Sequence, residues 1–208
     1  MHRFDENLLV NELGRLPSRA RVAFAAAAAT RQLSSYERFA LGLGTESAQR
    51  PREITVQLWA DLHAAEVDRA AWSARLDEVM GLLPEECDEW EIDHALADDA
   101  LSSLAYAIRC LLTLKPQEAV WAARRGYEAA DQAAIRILGV QPGLPNVEVA
   151  IKSHSVVQRE LARQWNDLAL LRAEAVDEVW RQAFADELLT EQEAASVTKG
   201  SWGSGVNS

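Results

Sequence analysis

The sequence predicts an all-α, single-domain bundle of eight or nine helices. Apolar residues recur with a period near 3.6 in almost every segment, and no segment alternates apolar and polar residues as a half-buried strand would. No repeat or linker divides the 208 residues. We expect residues 1–193 to form the helical domain and residues 194–208 to form a flexible tail, because the end of the chain loses periodicity and contains mainly small and polar residues.

The first half of the chain predicts five helices with recognisable ends. A short leucine-containing helix ends at Gly14, and the alanine-rich run VAFAAAAA forms a second helix that neighbouring helices can approach closely. Ser34 and Glu37 have the spacing of a capping box and predict the start of a third helix. Pro51 suits the first turn of a fourth helix, and Asp68 is in position to cap a fifth.

A sixth helix is predicted from about Asp93. Between residues 100 and 114 it has a single charge, Arg109, so we expect this helix to be central and buried. Pro116 opens the seventh helix. Gly126 lies inside that helix and weakens it by about 1 kcal/mol relative to alanine, which packing must offset.

The last part of the chain leaves one choice open. A loop rich in turn residues, 141–146, precedes an eighth helix that starts near Ser155. The apolar pattern then continues to Leu188, either in one long helix or after a bend around residues 173–177. Four of the seven tryptophans lie on apolar stripes and are predicted to be buried: Trp59, Trp72, Trp121 and Trp180.

The charge of the protein is concentrated in one segment. Between Arg75 and Arg109 there is no lysine or arginine, but there are ten carboxylates: Asp77, Glu78, Glu85, Glu86, Asp88, Glu89, Glu91, Asp93, Asp98 and Asp99. The other 22 acids and 21 bases leave a charge of −1, so almost all of the net −11 lies here. This acidic segment, residues 77–99, together with a pI near 4.9, argues against nucleic acid or a membrane surface as the partner and favours a basic protein.

Three interpretations of the acidic segment are open. Its carboxylates can cap the sixth helix and form a solvated loop, each stabilising the helix start by about 0.3–1 kcal/mol. They can instead form a protein-binding surface, in which Trp90 either anchors the loop or serves as an aromatic hot spot. The residues predicted for that surface are Glu85, Glu86, Asp88, Glu89, Trp90, Glu91, Asp93, Asp98 and Asp99.

The third interpretation is a metal site. Glu91 and His94 have the Glu-x-x-His spacing that places both side chains on one face of a helix, but di-metal bundles need a second such motif, and none exists here. The stretch also lacks the glycine of a calcium-binding loop. A metal-dependent enzyme would draw its ligands from Asp88, Glu91, His94 and Asp98. No other catalytic signature is present, so we predict no catalytic residue, cofactor or metal ligand.

Cysteine usage and the N-terminus favour a cytoplasmic protein. Cys87 and Cys110 have no CxxC spacing and are too few for a disulfide framework, so both are expected to be reduced thiols. The N-terminal sequence MHRFDENLLV has no apolar region of the kind that secretory signals contain. We expect a cytoplasmic monomer or homodimer.

Four runs of sequence resemble, in order, the YjaG-like bacterial family of proteins of unknown function, DUF416. They are LPSRARVAFAAAAATRQLSSYERFALGLG, DEWEIDHALADDALSSLAYAI, AVWAARRGYEAADQAAI and SHSVVQRELARQWNDLALLRA, and together they extend from Leu16 to Ala173. The most specific elements are Asp99-Ala100 before an apolar helix and His154 before a Val-Gln-x-Glu-Leu run. The resemblance implies an all-helical cytoplasmic bundle without an established activity.

The favoured function is therefore a non-enzymatic interaction module whose acidic segment binds a basic partner protein. An immunity protein that covers the active site of a basic toxin would use such a surface, and so would a signalling adaptor. A metal-dependent enzyme is the alternative.

Overall fold

Eleven helices make up the described part of the protein. The structure is a computed structural model that describes residues 1–45, 47–64, 67–85 and 91–199, and no strand occurs in these ranges. The helices are α1 Glu6–Gly14, α2 Ser18–Thr30, α3 Leu33–Gly42, α4 Arg50–Ala64, α5 Arg69–Gly81, α6 Ile92–Thr113, α7 Pro116–Leu138, α8 Pro145–Ser153, α9 Ser155–Arg172, α10 Val176–Ala185 and α11 Glu191–Lys199. The all-α class is confirmed and the count of eight or nine is too low, whereas the single-domain organisation stays a prediction.

Helix α6 lies at the centre of the bundle, as its lack of charge predicts. It contacts α2, α3, α5 and α7 and buries residues along most of its length, including Leu101, Leu104 and Ile108. Helix α2 is buried on all sides after its first turn: every residue from Val22 to Thr30 is at most 5% exposed, and the helix contacts α4, α6, α7, α9 and α10. Its alanines make this possible, because small side chains let several helices approach one backbone.

The predicted start signals are confirmed in most of these helices. Asp68 caps α5 by accepting hydrogen bonds from the N–H groups of Ala70 and Ala71, at 3.0 and 3.1 Å. Pro51 lies in the first turn of α4 and Pro116 begins α7. The capping box at Ser34 is wrong: α3 begins at Leu33, and the buried Ser34 hydroxyl has no partner among the described residues.

The C-terminal third differs most from the prediction. The turn-rich loop is followed by an additional helix, α8, and His154 separates it from α9 while its Nδ1 accepts the Val156 N–H at 3.4 Å. Of the two open alternatives, the structure has the bend: Glu174 has φ +59° between α9 and α10. Residues 194–199, predicted as part of a tail, belong to α11, where Ala194 and Val197 are buried.

The tryptophans divide into buried and peripheral positions. Trp59 and Trp72 are buried as predicted, at 1% and 0% exposure. Trp180 is 40% exposed, so its assignment to the core was wrong: α10 lies at the edge of the bundle. Trp121 is half-buried beside Tyr106. None of the described helices is both long enough and apolar enough to cross a membrane.

Candidate functional site

The acidic segment surrounds the start of α6. Glu86, Asp88, Glu89 and Trp90, together with Cys87, lie outside the described residues. Glu85 and Glu91 are exposed, whereas Asp93 and Asp98 are half-buried in the first two turns of α6. The described structure therefore brings four of the predicted residues to the surface around one helix start.

Asp99 belongs to the interior and not to this surface. Its side chain accepts a hydrogen bond from Arg125 Nη1 at 3.2 Å and another from Gln132 Nε2 at 3.0 Å. Only 2% of the residue is exposed, and burial raises the pKa of its carboxyl to about 7, although Arg125 opposes this shift. A partner protein cannot reach this carboxylate in the structure, so we remove Asp99 from the proposed surface.

The charge block is less one-sided than the sequence indicates, because bases from other helices pair with part of it. Arg50 of α4 donates two hydrogen bonds to Glu78, at 2.6 and 3.0 Å, just as Arg125 of α7 pairs with Asp99. Glu85, Glu91, Asp93 and Asp98 form no ion pair with another described residue. The unneutralised charge of the described segment therefore lies mainly at the start of α6 and just before it, with Asp77 of α5 as a further exposed carboxylate that forms no ion pair with a described residue.

An open groove of about 710 Å³ lies beside these unneutralised acids. Its floor is largely apolar and comes from α3 and the end of α5, with Tyr36, Phe39 and Leu82 among the lining residues. Leu43 also lines it and is 64% exposed. Glu85 and Glu91 supply its carboxylates, and no lysine or arginine is among its described lining residues. We call this feature the acidic groove.

His94 connects the two sides of the acidic groove. Its Nε2 lies 2.6 Å from the Glu85 carbonyl oxygen, so this nitrogen carries a proton and donates the bond. The imidazole also meets the Phe39 ring edge-on, with centroids 5.7 Å apart. Both contacts hold the ring in a structural position at the groove wall.

The described residues do not include a set of side chains that could bind a metal ion. No three His, Cys, Asp or Glu side chains among these residues converge closely enough to hold an ion. The Glu91 and His94 pair lacks a described third ligand, and Asp88 lies outside the described residues. The metal-dependent enzyme thus stays an untested alternative.

A buried charged network between α2, α7 and α9 was not predicted from the sequence. The Arg31 guanidinium donates to Asp167 at 2.6 Å, and its Nε lies 3.7 Å from Glu160 Oε2. Gln164 donates both to Glu160 at 2.9 Å and to the Ala123 carbonyl at 3.0 Å. Burial lowers the pKa of Arg31, but the two carboxylates more than offset this and raise it above its usual range. Burial raises the pKa of Glu160.

A signal for this network was present in the sequence. Glu160, Gln164 and Asp167 are spaced four and three residues apart, which places them on one helix face with the apolar residues Leu161 and Leu168. Polar side chains on an apolar face require buried partners. The side chains of the network are at most 2% exposed, and their contacts join the end of α2 to α7 and α9.

Comparison with known proteins identifies the family but no activity. Residues 9–197 match the family model described as "Protein of unknown function (DUF416)". A crystal structure of a DUF416 family protein from Shewanella baltica OS155 is similar in fold, with a TM-score of 0.72, 16% sequence identity, and coverage of 85% of this chain and 93% of that chain. At this identity the likeness concerns the fold alone. No curated protein matches the chain.

Proposed function

The chain belongs to DUF416, a family of proteins of unknown function, and from this premise we propose that it is a non-enzymatic interaction module that binds a basic partner protein in the acidic groove. The proposal rests chiefly on one observation: carboxylates but no lysine or arginine occur among the described residues that line an open, apolar-floored groove. We also propose that the protein is cytoplasmic, has a single domain and acts as a monomer or homodimer. An immunity protein against a toxin and a signalling adaptor are two forms that this function could take.

The two parts of the groove have different physical roles. Glu85 and Glu91 would attract a lysine- or arginine-rich segment and speed its association, an effect that salt screens. The floor beside Phe39 and Leu82 would bury an apolar side chain of that segment, which slows dissociation. Leu43, already 64% exposed, would lose contact with water in the complex. The remaining acids of the segment, including Glu86, Asp88 and Glu89, would add to the attraction.

Site-specific crosslinking can test the proposal. A photoreactive phenylalanine analogue at Leu43 should crosslink a basic protein in cells that contain the natural partner, whereas the same analogue at Val56, exposed on α4, should not. The double variant Glu85→Gln and Glu91→Gln should reduce the crosslink at low salt. The matched control is Glu174→Gln with Glu191→Gln, which removes two exposed carboxylates elsewhere.

Two outcomes would overturn the proposal. A crosslinked protein without basic clusters would contradict the expected charge complementarity. If the double variant and its control reduce the crosslink at Leu43 equally, Glu85 and Glu91 have no specific role in binding.

A further inference from the structure

A second cavity, of about 390 Å³, lies on a different part of the bundle, between the N-terminal residues and helices α7, α8 and α9. Its apolar lining includes Tyr127 of α7, Val149 of α8, and Val157 and Leu161 of α9. Residues Met1–Phe4 form another wall, which we call the N-terminal strap. A largely apolar cavity of this volume is within the range of small-molecule sites, which is about 300–1,000 Å³.

Specific contacts hold the N-terminal strap in place. The His2 N–H donates to Gln158 Oε1 at 2.8 Å, and Gln158 Nε2 donates to the His2 carbonyl at 3.1 Å. The Phe4 ring stacks on Tyr127 with centroids 5.2 Å apart and planes at 11°. Asp5 then caps α1. One wall of the cavity is therefore the Phe4 and Tyr127 pair, and the residues on either side of Phe4, His2 and Asp5, are held by hydrogen bonds.

Arg3 is a charged residue of the cavity lining that has no ion-pair partner among the described residues. Lys152 pairs with Glu148 at 3.4 Å, whereas Arg3 forms no ion pair with another described residue. The formal charge of +1 that remains on these three side chains therefore belongs to Arg3, whereas the carboxylates of Asp131 and Glu128 lie near the Tyr127 side of the cavity. An unpaired guanidinium favours an anion at the Arg3 side.

Tyr127 adds a hydrogen-bond donor. Its side chain is half-buried, and its hydroxyl has no hydrogen-bond partner among the described residues. Burial, assisted by the nearby carboxylates of Asp131 and Glu148, raises the pKa of Tyr127, so the hydroxyl keeps its proton. A protonated phenol without a partner can donate to a polar atom of a bound molecule.

We infer that this cavity binds a small aromatic molecule with one negative charge, such as an aromatic carboxylate or sulfonate. The ring of the ligand lies against the Phe4 and Tyr127 pair and the aliphatic floor, where offset stacking and apolar burial both contribute. Its anionic group faces Arg3.

Two fluorescent probes of nearly the same hydrocarbon shape test this inference with the full chain. Anilinonaphthalene sulfonate has one negative charge, whereas N-phenyl-naphthylamine has none. The sulfonate should bind saturably with one site per chain in this cavity, and more tightly than the neutral probe, because only the sulfonate can use Arg3. Titration followed by fluorescence gives both dissociation constants.

Variants at the cavity edge locate the binding without disturbing the core. Val149 lines the cavity while 62% exposed, so Val149→Trp should obstruct its opening and raise the dissociation constant of both probes at least about tenfold, as expected for losing roughly 1.4 kcal/mol. Val56→Trp places the same side chain on α4, where valine is 51% exposed, and should change neither constant.

Charge variants separate recognition of the anion from burial of the rings. Arg3→Gln should weaken the sulfonate about two- to fivefold, the effect of one exposed charge, and leave the neutral probe unchanged. Arg19→Gln, at an exposed arginine on α2, is the matched control and should affect neither probe.

Each contrary result overturns a defined part of the inference. If fluorescence rises without saturation, or if Val149→Trp and Val56→Trp have equal effects, the cavity is not the binding site. If Arg3→Gln weakens both probes equally or neither, the site does not select an anion.

Discussion

Replacing Gly126 with alanine should destabilise the protein, although alanine is the better helix former. A Cβ atom at position 126 would lie 2.9 Å from Glu160 Oε1 and 3.4 Å from Gln32 Nε2. The first distance is too short for a real contact, and Glu160 has nowhere to move because it is 1% exposed. The close approach of α7 to α9 therefore requires glycine here.

The opposing contributions can be compared. Alanine gains about 1 kcal/mol of helix propensity over glycine. Overpacking typically costs about 1–3 kcal/mol, and a displaced Glu160 also weakens its 2.9 Å hydrogen bond from Gln164, worth about 1.5–3 kcal/mol when the acceptor is charged. We expect a net loss of about 1–4 kcal/mol in the free energy of unfolding, or several degrees in melting temperature for a chain of this size.

Urea denaturation of Gly126→Ala, followed by circular dichroism, gives this free energy. Gly14→Ala is the control, because a Cβ atom added to Gly14, at the end of α1, would meet no atom within 4 Å; this variant should be neutral or stabilised by up to about 1 kcal/mol. In a Glu160→Asp background the shorter side chain withdraws its oxygens from α7, so Gly126→Ala should cost less. Equal or greater stability of Gly126→Ala would refute the reasoning.

Four further outcomes are expected. Arg31→Met should cost about 3–5 kcal/mol in urea denaturation because it leaves Asp167 and Glu160 buried without a cation, whereas Arg19→Met should change stability by under about 0.5 kcal/mol. The pKa of Asp99 is about 7 in the folded protein and lower in the unfolded chain, so this carboxyl makes the free energy of unfolding fall as pH rises from about 4 to 7. Asp99→Asn lacks this titration, so its free energy of unfolding should rise relative to that of the wild type across the same pH range. A difference between the two proteins that does not change with pH would contradict this reasoning. Elemental mass spectrometry should find no stoichiometric transition metal, whereas one metal per chain that His94→Ala abolishes would favour the enzyme alternative. Deleting residues 200–208 should leave the melting temperature unchanged, but deleting residues 191–208 should lower it, because Ala194 and Val197 are buried; equal effects would contradict a structural role for α11.

Features that depend on neighbouring residues were predictable from the sequence. The buried position of α6 follows from its single charge, and the starts of α5 and α7 follow from Asp68 and Pro116. Helix α8 was missed because Pro145 was interpreted as part of a turn, although proline also suits the first position of a helix. A proline of this kind is compatible with either a turn or a helix start, and tertiary packing determines which of the two forms.

Features that depend on distant residues were not predictable in this way. Asp99 and Arg125 are 26 positions apart, and Arg31 and Asp167 are 136 apart, so the sequence alone does not indicate which charges neutralise each other. The exposure of Trp180 likewise depends on the edge position of α10 in the bundle. The prediction of an acidic surface therefore included one carboxylate, Asp99, that pairs inside the protein.

The acidic groove and the second cavity can be tested independently because they share no lining residue and no helix. The groove is formed by α3, the end of α5 and the start of α6, whereas the cavity is formed by the N-terminal strap, α7, α8 and α9. Their unpaired charges also differ in sign, with carboxylates at the groove and Arg3 at the cavity. High salt should therefore weaken both, but charge removal at Glu85 and Glu91 should leave probe binding intact, and Arg3→Gln should leave the groove crosslink intact. If either set of substitutions abolished both the groove crosslink and probe binding, the two sites would be coupled through the bundle.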